Sequence, residues 1–192
     1  MGTGPVRHLT PTDWVHGSRQ RGFTLIELVV TMSVVAILLT IGIPSFRYVT
    51  SSNRTSGEIN DLLGSMQLAR AEAMRQGQTV TICASQDHAT CSGQSTWNTG
   101  WIIFAGTGNP SNATPVIRLE MPFTGADTLQ ANGPPATSFV EFNREGFGLN
   151  LPNGGVMFTL HDSTGSSSFT RCLQVTFVGA PTTMNYNGGS CT

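Results

Sequence analysis

His161 stands beside Asp162 at the end of the alternating run GVMFTLH, and this pair is the nearest approach to a general base in the chain. A general base needs a third group to orient it and a substrate within reach, and no Gly-x-Ser-x-Gly elbow or paired-histidine metal motif accompanies it. All ten basic residues are arginine. Without lysine there is no Walker-type phosphate loop, no Schiff base and no Ser-x-x-Lys nucleophile pair. The reactive side chains therefore predict a protein that is not an enzyme and carries no cofactor.

The four cysteines, Cys83, Cys91, Cys172 and Cys191, allow three disulfide connectivities. Zinc is the competing use, but no pair has the short two-to-four-residue spacing of a metal knuckle, and His88 is the only imidazole near a cysteine in sequence. No metal site is expected. Pairing Cys83 with Cys91 and Cys172 with Cys191 is favoured, because each pair closes a local loop rich in Gly, Ser, Asn and Thr.

The acid with the strangest address is Glu27. It sits five residues into RGFTLIELVV once Gly22 is passed, and the apolar run continues through TMSVVAILLTIGIP. From Phe23 to Ile43 the 21 residues carry no other formal charge, and at about 1.5 Å of rise each they cross a hydrocarbon core of roughly 30 Å. Arg7, Arg19 and Arg21 precede the run and Arg47 is the first basic residue after it, so the positive-inside tendency holds residues 1–22 in the cytoplasm and exports the rest. All four cysteines then lie where an oxidising compartment permits disulfides. A secretory signal would place its small-residue cleavage site after the apolar run; here the small residue, Gly22, comes before it.

Two kinds of element must position these groups. After Pro44 a 3.6-residue period returns, with Leu62, Met66, Ala69 and Ala73 in one stripe, Ile59 and Leu63 beside it, and Asp61, Arg70, Glu72 and Arg75 facing elsewhere. Pro44 should bend this helix, and Gly77 is its expected stop. From Gln78 the period becomes two. QTVTICAS, GWIIFA, PVIRLEM, SFVEFN, GVMFTLH and RCLQVTFV predict five to seven antiparallel strands, whose apolar face the helical stripe covers. GTGNPSNATP and LQANGPPATS read as loops, STGSSS as a flexible hairpin tip and NYNGGSC as a loop pinned by Cys191. Trp97 and Trp101, at the strand WIIF, are expected to pack in the core or a loop. The predicted class is α+β, a long N-terminal helix on a small antiparallel sheet, divided into 1–22, a spanning helix 23–43, its amphipathic continuation 44–77 and a β-rich domain 78–192.

RGFTLIELVVTMSVVAILLTIGIPSF resembles the N-terminal segment of type IV pilins and type II secretion pseudopilins, through the Gly-Phe junction, the acid at mature position five and the proline after the span. ARAEAMRQGQTVTICAS, the cysteine-bounded loop, WNTGWIIF and FNREGFG are similar to minor pilins of the FimT and FimU kind, which share a globular domain with the H-type pseudopilin. The resemblance implies that a prepilin peptidase cleaves the leader between Gly22 and Phe23 at the inner membrane and N-methylates Phe23. It implies a single-pass subunit with a periplasmic domain, which joins other major and minor pilins through its N-terminal helix and primes or caps a type IV pilus. An H-type pseudopilin of type II secretion is the alternative, and a DNA-binding minor pilin for natural transformation a second.

A carboxylate at mid-bilayer costs about 2.5 to 3.5 kcal/mol, less near an interface, so Glu27 should seek a cation. Cleavage creates one: the Phe23 amine lies about 6 Å along the axis. In a filament Glu27 can pair with a neighbour's terminus, where low dielectric strengthens the attraction and a misaligned pair is penalised, so Glu27 is expected to select the docking position. DNA binding is possible but not favoured. The DNA-receptor pilins use a basic Gly-Arg-x-Arg stretch near the C-terminus, and where it aligns this chain reads Gly179, Ala180, Pro181, Thr182, with no basic residue after Arg171. Residues 23–192 hold seven Arg against ten acids, which disfavours a broad nucleic-acid surface. Arg118, Arg144 and Arg171 remain the candidate contacts for a ligand or an acidic partner.

Overall fold

A computed structural model describes residues 22–110, 114–132, 137–152, 154–187 and 189–191. Contacts divide the chain after Ile43 into two units, and helix α1 (Leu25–Gln76) contributes residues to both. In the first unit α1 is apolar on all sides, every described residue is exposed, and its length and composition suit a membrane span.

In the second unit α1 changes character. Ile59, Leu62, Met66, Ala69 and Ala73 are buried along one stripe at alternating spacings of three and four, as the 3.6-residue period requires. The helix ends at Gln76 because Gly77 adopts φ 65°, a left-handed conformation that glycine takes without strain.

Eleven strands follow among the described residues, more than the five to seven expected, because short strands such as Gly148–Leu149 and Tyr186–Asn187 carry no alternating pattern of their own. A five-stranded antiparallel sheet has the order β3 (Val116–Glu120), β2 (Trp101–Ala105), β1 (Val80–Ala84), β5 (Phe139–Phe142), β6 (Gly148–Leu149). A four-stranded antiparallel sheet has the order β4 (Thr128–Asn132), β7 (Val156–His161), β8 (Arg171–Val175), β9 (Pro181–Met184). A terminal hairpin pairs β10 (Tyr186–Asn187) with β11 (Ser190–Cys191). The helical stripe shares one core with both larger sheets: Val80, Ile82, Trp101, Ile103, Val140 and Phe142 come from the first, and Leu129, Val156, Phe158, Leu160, Leu173 and Val175 from the second.

Strand β1 is buried on both faces. Val80, Ile82 and Ala84 join the main core, while Cys83 turns to a second cluster with Ile102 and Phe104, against which Cys91 and Val116 pack. The loop bounded by the two cysteines therefore covers the back of the first sheet.

Two local readings need correction. Residues Leu129–Asn132, expected as loop, belong to β4, where Leu129 and Ala131 point inward opposite Leu160 and Phe158. With only two apolar residues ahead of the Gly-Pro-Pro cluster, the strand is supported by its pairing with β7 more than by its own pattern. In NYNGGSC, expected as a loop, Tyr186–Asn187 pairs with Ser190–Cys191 as two short strands, while STGSSS does connect the antiparallel strands β7 and β8, its last two residues opening a 3-10 turn, Ser167–Phe169. The described parts also form two main sheets where one was expected. GTGNPSNATP, expected as a loop, lies partly, at 111–113, outside the described residues, as does LQANGPPATS at 133–136, and Arg7, Arg19 and Arg21 lie wholly outside them.

Candidate functional site

The start of α1 is built around Glu27. Thr24 precedes the helix, and its Oγ1 accepts a hydrogen bond from the Glu27 backbone N–H at 3.3 Å, which places Thr24 as N-cap and Glu27 as the third helical residue. Thr-x-x-Glu is the sequence of a capping box, and a carboxylate in the first turn also faces the positive end of the helix dipole. Gly22 and Phe23 lie outside regular structure and are exposed, Phe23 at 78 %. Pro44 lies inside α1. The sequence reading gave Thr24 no role, although its spacing to Glu27 was visible.

The structure bonds Cys83 to Cys91 and Cys172 to Cys191, and no described cysteine is free. The first bond holds the covering loop on the five-stranded sheet; the second ties β11 to β8.

The three arginines singled out from sequence occupy separate elements and are not joined by a hydrogen bond. Arg118 pairs with Glu120 on the same face of β3 at 3.2 Å, and Arg144 pairs with its neighbour Glu145 at 2.7 Å. Arg171 is a strap between sheet and helix: Nε donates to Ser56 Oγ and Nη2 to Ser52 Oγ, while Nη1 donates to the carbonyls of Ser168 and Thr170. A guanidinium can hold such a fork where an ammonium could not.

Two more arginines fasten α1. Arg70 Nε donates to the Gly146 carbonyl at 3.0 Å. Arg54 grips Asp127 through Nε to Oδ2 and Nη2 to Oδ1, both at 2.7 Å, and Asp127 Oδ1 also accepts from the Ser163 N–H. The Asp127 side chain is fully buried and Arg54 keeps about a third of its side chain exposed. The hydrogen bond to Asp127 raises the Arg54 pKa further. Glu58, one turn beyond Arg54, is pushed up to about 7 by burial, by the charge of Asp127 and by a hydrogen bond to it. Glu58 Oε2 is buried and has no hydrogen-bond partner, so a negative charge there is poorly compensated. The sequence analysis missed this cluster, since nothing in the chain order connects residues 54 and 58 to residue 127.

The His161–Asp162 neighbours are each engaged elsewhere. His161 Nδ1 shares a hydrogen bond with Thr170 Oγ1, and Asp162 accepts from Thr164 Oγ1 and the Ser166 N–H, which fixes the turn after β7. Trp97 and Trp101 are both fully buried, with Trp97 Nε1 donating to the Thr137 carbonyl. Among the described residues no cluster of His, Cys, Asp and Glu is placed to hold a metal ion.

Comparison with known proteins bears on the chain in two places. The prokaryotic N-terminal methylation motif matches residues 17–43. Two crystal structures of the type IV minor pilin FimU of Pseudomonas aeruginosa PAO1 share the fold. One has a TM-score of 0.58 at 20% identity, covering 75% of this chain and 96% of that one, and the other 0.52 at 21%, covering 69% and 93%. No curated protein matches the chain. The family described as type II transport protein GspH matches residues 58–179, more than half of the sequence, and the chain belongs to that family.

Proposed function

We propose that this chain is a minor pilin, a non-catalytic subunit that primes or caps a type IV pilus. The observation that carries the reading is the union, on one helix, of a methylation motif and a wholly exposed apolar segment with a GspH-type domain. Such a segment is unsuited to water and needs either lipid or neighbouring helices around it. The crystallised FimU chains are type IV minor pilins, and their likeness in fold favours the pilus.

In this reading residues 1–22 are a cytoplasmic leader, removed by a prepilin peptidase, and 23–43 anchor the subunit in the inner membrane. Residues 44–77 carry the periplasmic domain 78–192. Phe23 supplies the methylated amine and Glu27 its acidic mate, first within one chain and then between neighbours. Pro44 marks the exit from the filament core. Arg118 and Arg144, exposed at the surface, are the contacts for partner subunits.

The test is co-purification from the native host. Sheared pili should contain this chain in far fewer copies than the major pilin, and Glu27→Val should remove it from them while leaving its membrane level unchanged. Equal recovery of the Glu27→Val chain in pili would contradict the reading. The family match equally admits an H-type pseudopilin; loss of protein secretion with normal piliation in a deletion strain would select that alternative.

A further inference from the structure

The second unit opens a groove of about 510 Å³ at its first helical turns, lined by Pro44, Phe46, Arg47, Tyr48, Thr164 and Phe169 among others. The Tyr48 and Phe169 rings pack at 5.0 Å between centroids, so an aromatic wall joins the helix to the 3-10 turn between β7 and β8. Phe46 is 74 % and Tyr48 55 % exposed, too much apolar surface for a fold with no use for it. Thr50 returns its hydroxyl to the Phe46 carbonyl and adds no polarity to the groove. Arg47 makes no ion pair among the described residues. From residue 28 to residue 57 the chain contains no acid and two arginines, Arg47 and Arg54.

Aromatic rings beside an unpaired cation are the chemistry of the membrane–water interface, where amphipathic rings settle at headgroup level and arginine meets phosphate. Position in the chain selects the same occupant. The apolar run ends at Ile43, so at helical rise Phe46 follows it by about 4.5 Å and Tyr48 by about 7.5 Å, close to the depth of one headgroup layer, roughly 5 to 8 Å. We infer that Phe46, Tyr48 and Phe169 form a seat for an anionic lipid surface, with Arg47 on a lipid phosphate, so that the folded domain rests against the bilayer before the subunit is assembled. Phe169 and Thr164 reach the lipid only if the domain docks, because neither is near the anchor in sequence. The inference rests on the membrane-anchor reading above.

The test uses the full chain in phosphatidylcholine–phosphatidylglycerol vesicles with a nitroxide on a fraction of the headgroups. The described cysteines are all disulfide-bonded, so Ser167→Cys, on the exposed face of the 3-10 turn, accepts a single environment-sensitive dye. Gln78→Cys, just past the end of α1, which lies about 40 Å along the helix from Tyr48, is the distant reference. The expected result is stronger quenching at Ser167 than at Gln78, lost in Phe46→Ser and weakened by Arg47→Gln or by omitting phosphatidylglycerol. Because Phe46 is largely exposed, its replacement leaves the core intact. Equal quenching at the two positions in vesicle-bound protein overturns the seat, and is the result expected if a neighbouring subunit occupies the groove. Release of the chain from vesicles by alkaline carbonate overturns the anchor reading itself.

Discussion

Arg54 and Asp127 meet across the seam between helix α1 and the four-stranded sheet in a two-pronged ion pair, with both contacts at 2.7 Å and the carboxylate wholly out of water. A pair of this kind adds little over a well-packed apolar one, but removing one partner strands the other's charge. Arg54→Ala should therefore cost about 3 kcal/mol, read as a lower urea midpoint at unchanged slope, and Asp127 with Arg54 both replaced by apolar residues should recover much of it. A shift of a few tenths in the single variant would show that the pair carries no such weight.

Glu58 lies beside that pair, facing Arg54, Asp61 and Asp127, and its carboxyl is pushed up to about 7. Its folded pKa stands above its unfolded one, so the folded protein holds the proton more tightly. The sign follows: the stabilisation is complete below the unfolded value near 4.5, falls as pH rises, and is gone above about 7. The melting temperature should be higher at pH 5 than at pH 8, and Glu58→Gln should flatten the difference. The carboxyls held low, Asp87 by the Thr90 hydroxyl, Glu72 by Arg75 and Glu145 by Arg144, lose their contributions only as pH falls below this window. A melting temperature that rises from pH 5 to pH 8 would contradict the assignment.

Much of this architecture was readable in the chain. The stripe Leu62, Met66, Ala69, Ala73 is set by local periodicity, and burial follows it residue by residue. Strands with three or more alternating apolar residues declared themselves in the same way. β4 did not, because TLQAN holds only Leu129 and Ala131 and its strand character comes from β7. The arginine straps were hidden for a related reason. Arg54, Arg70 and Arg171 reach partners 73 or more residues away, except that Arg171 also bonds nearby carbonyls, and such pairings exist only after the sheets have formed. Thr24 was legible and unused, since a cap is recognised by its spacing to Glu27.

The Cys172–Cys191 bond closes a segment with a sequence separation of 19 and holds the β10–β11 hairpin beside Thr159, whose hydroxyl is 3.6 Å from Cys191 Sγ. Replacing both cysteines with serine should cost about 2 to 4 kcal/mol and increase proteolysis after Asn185, as judged by limited digestion. Unchanged stability and digestion would mean that the hairpin is held by its own pairing.

DNA binding is not expected. Arg118 and Arg144 already have carboxylate partners, and Arg171 is committed to the helix. In a gel shift with the detergent-solubilised chain, retardation should be weak and unselective. Tight binding that falls steeply with added salt would identify phosphate contacts and reverse the ranking of functions.

The central claim is that a cut before Phe23 creates the positive group that Glu27 awaits at the capped start of α1. Mass spectrometry of this chain extracted from assembled filaments of the native host tests it most directly. The account predicts a first residue of Phe23 bearing one methyl group on its amine. A chain in the filament that still begins at Met1 would contradict it.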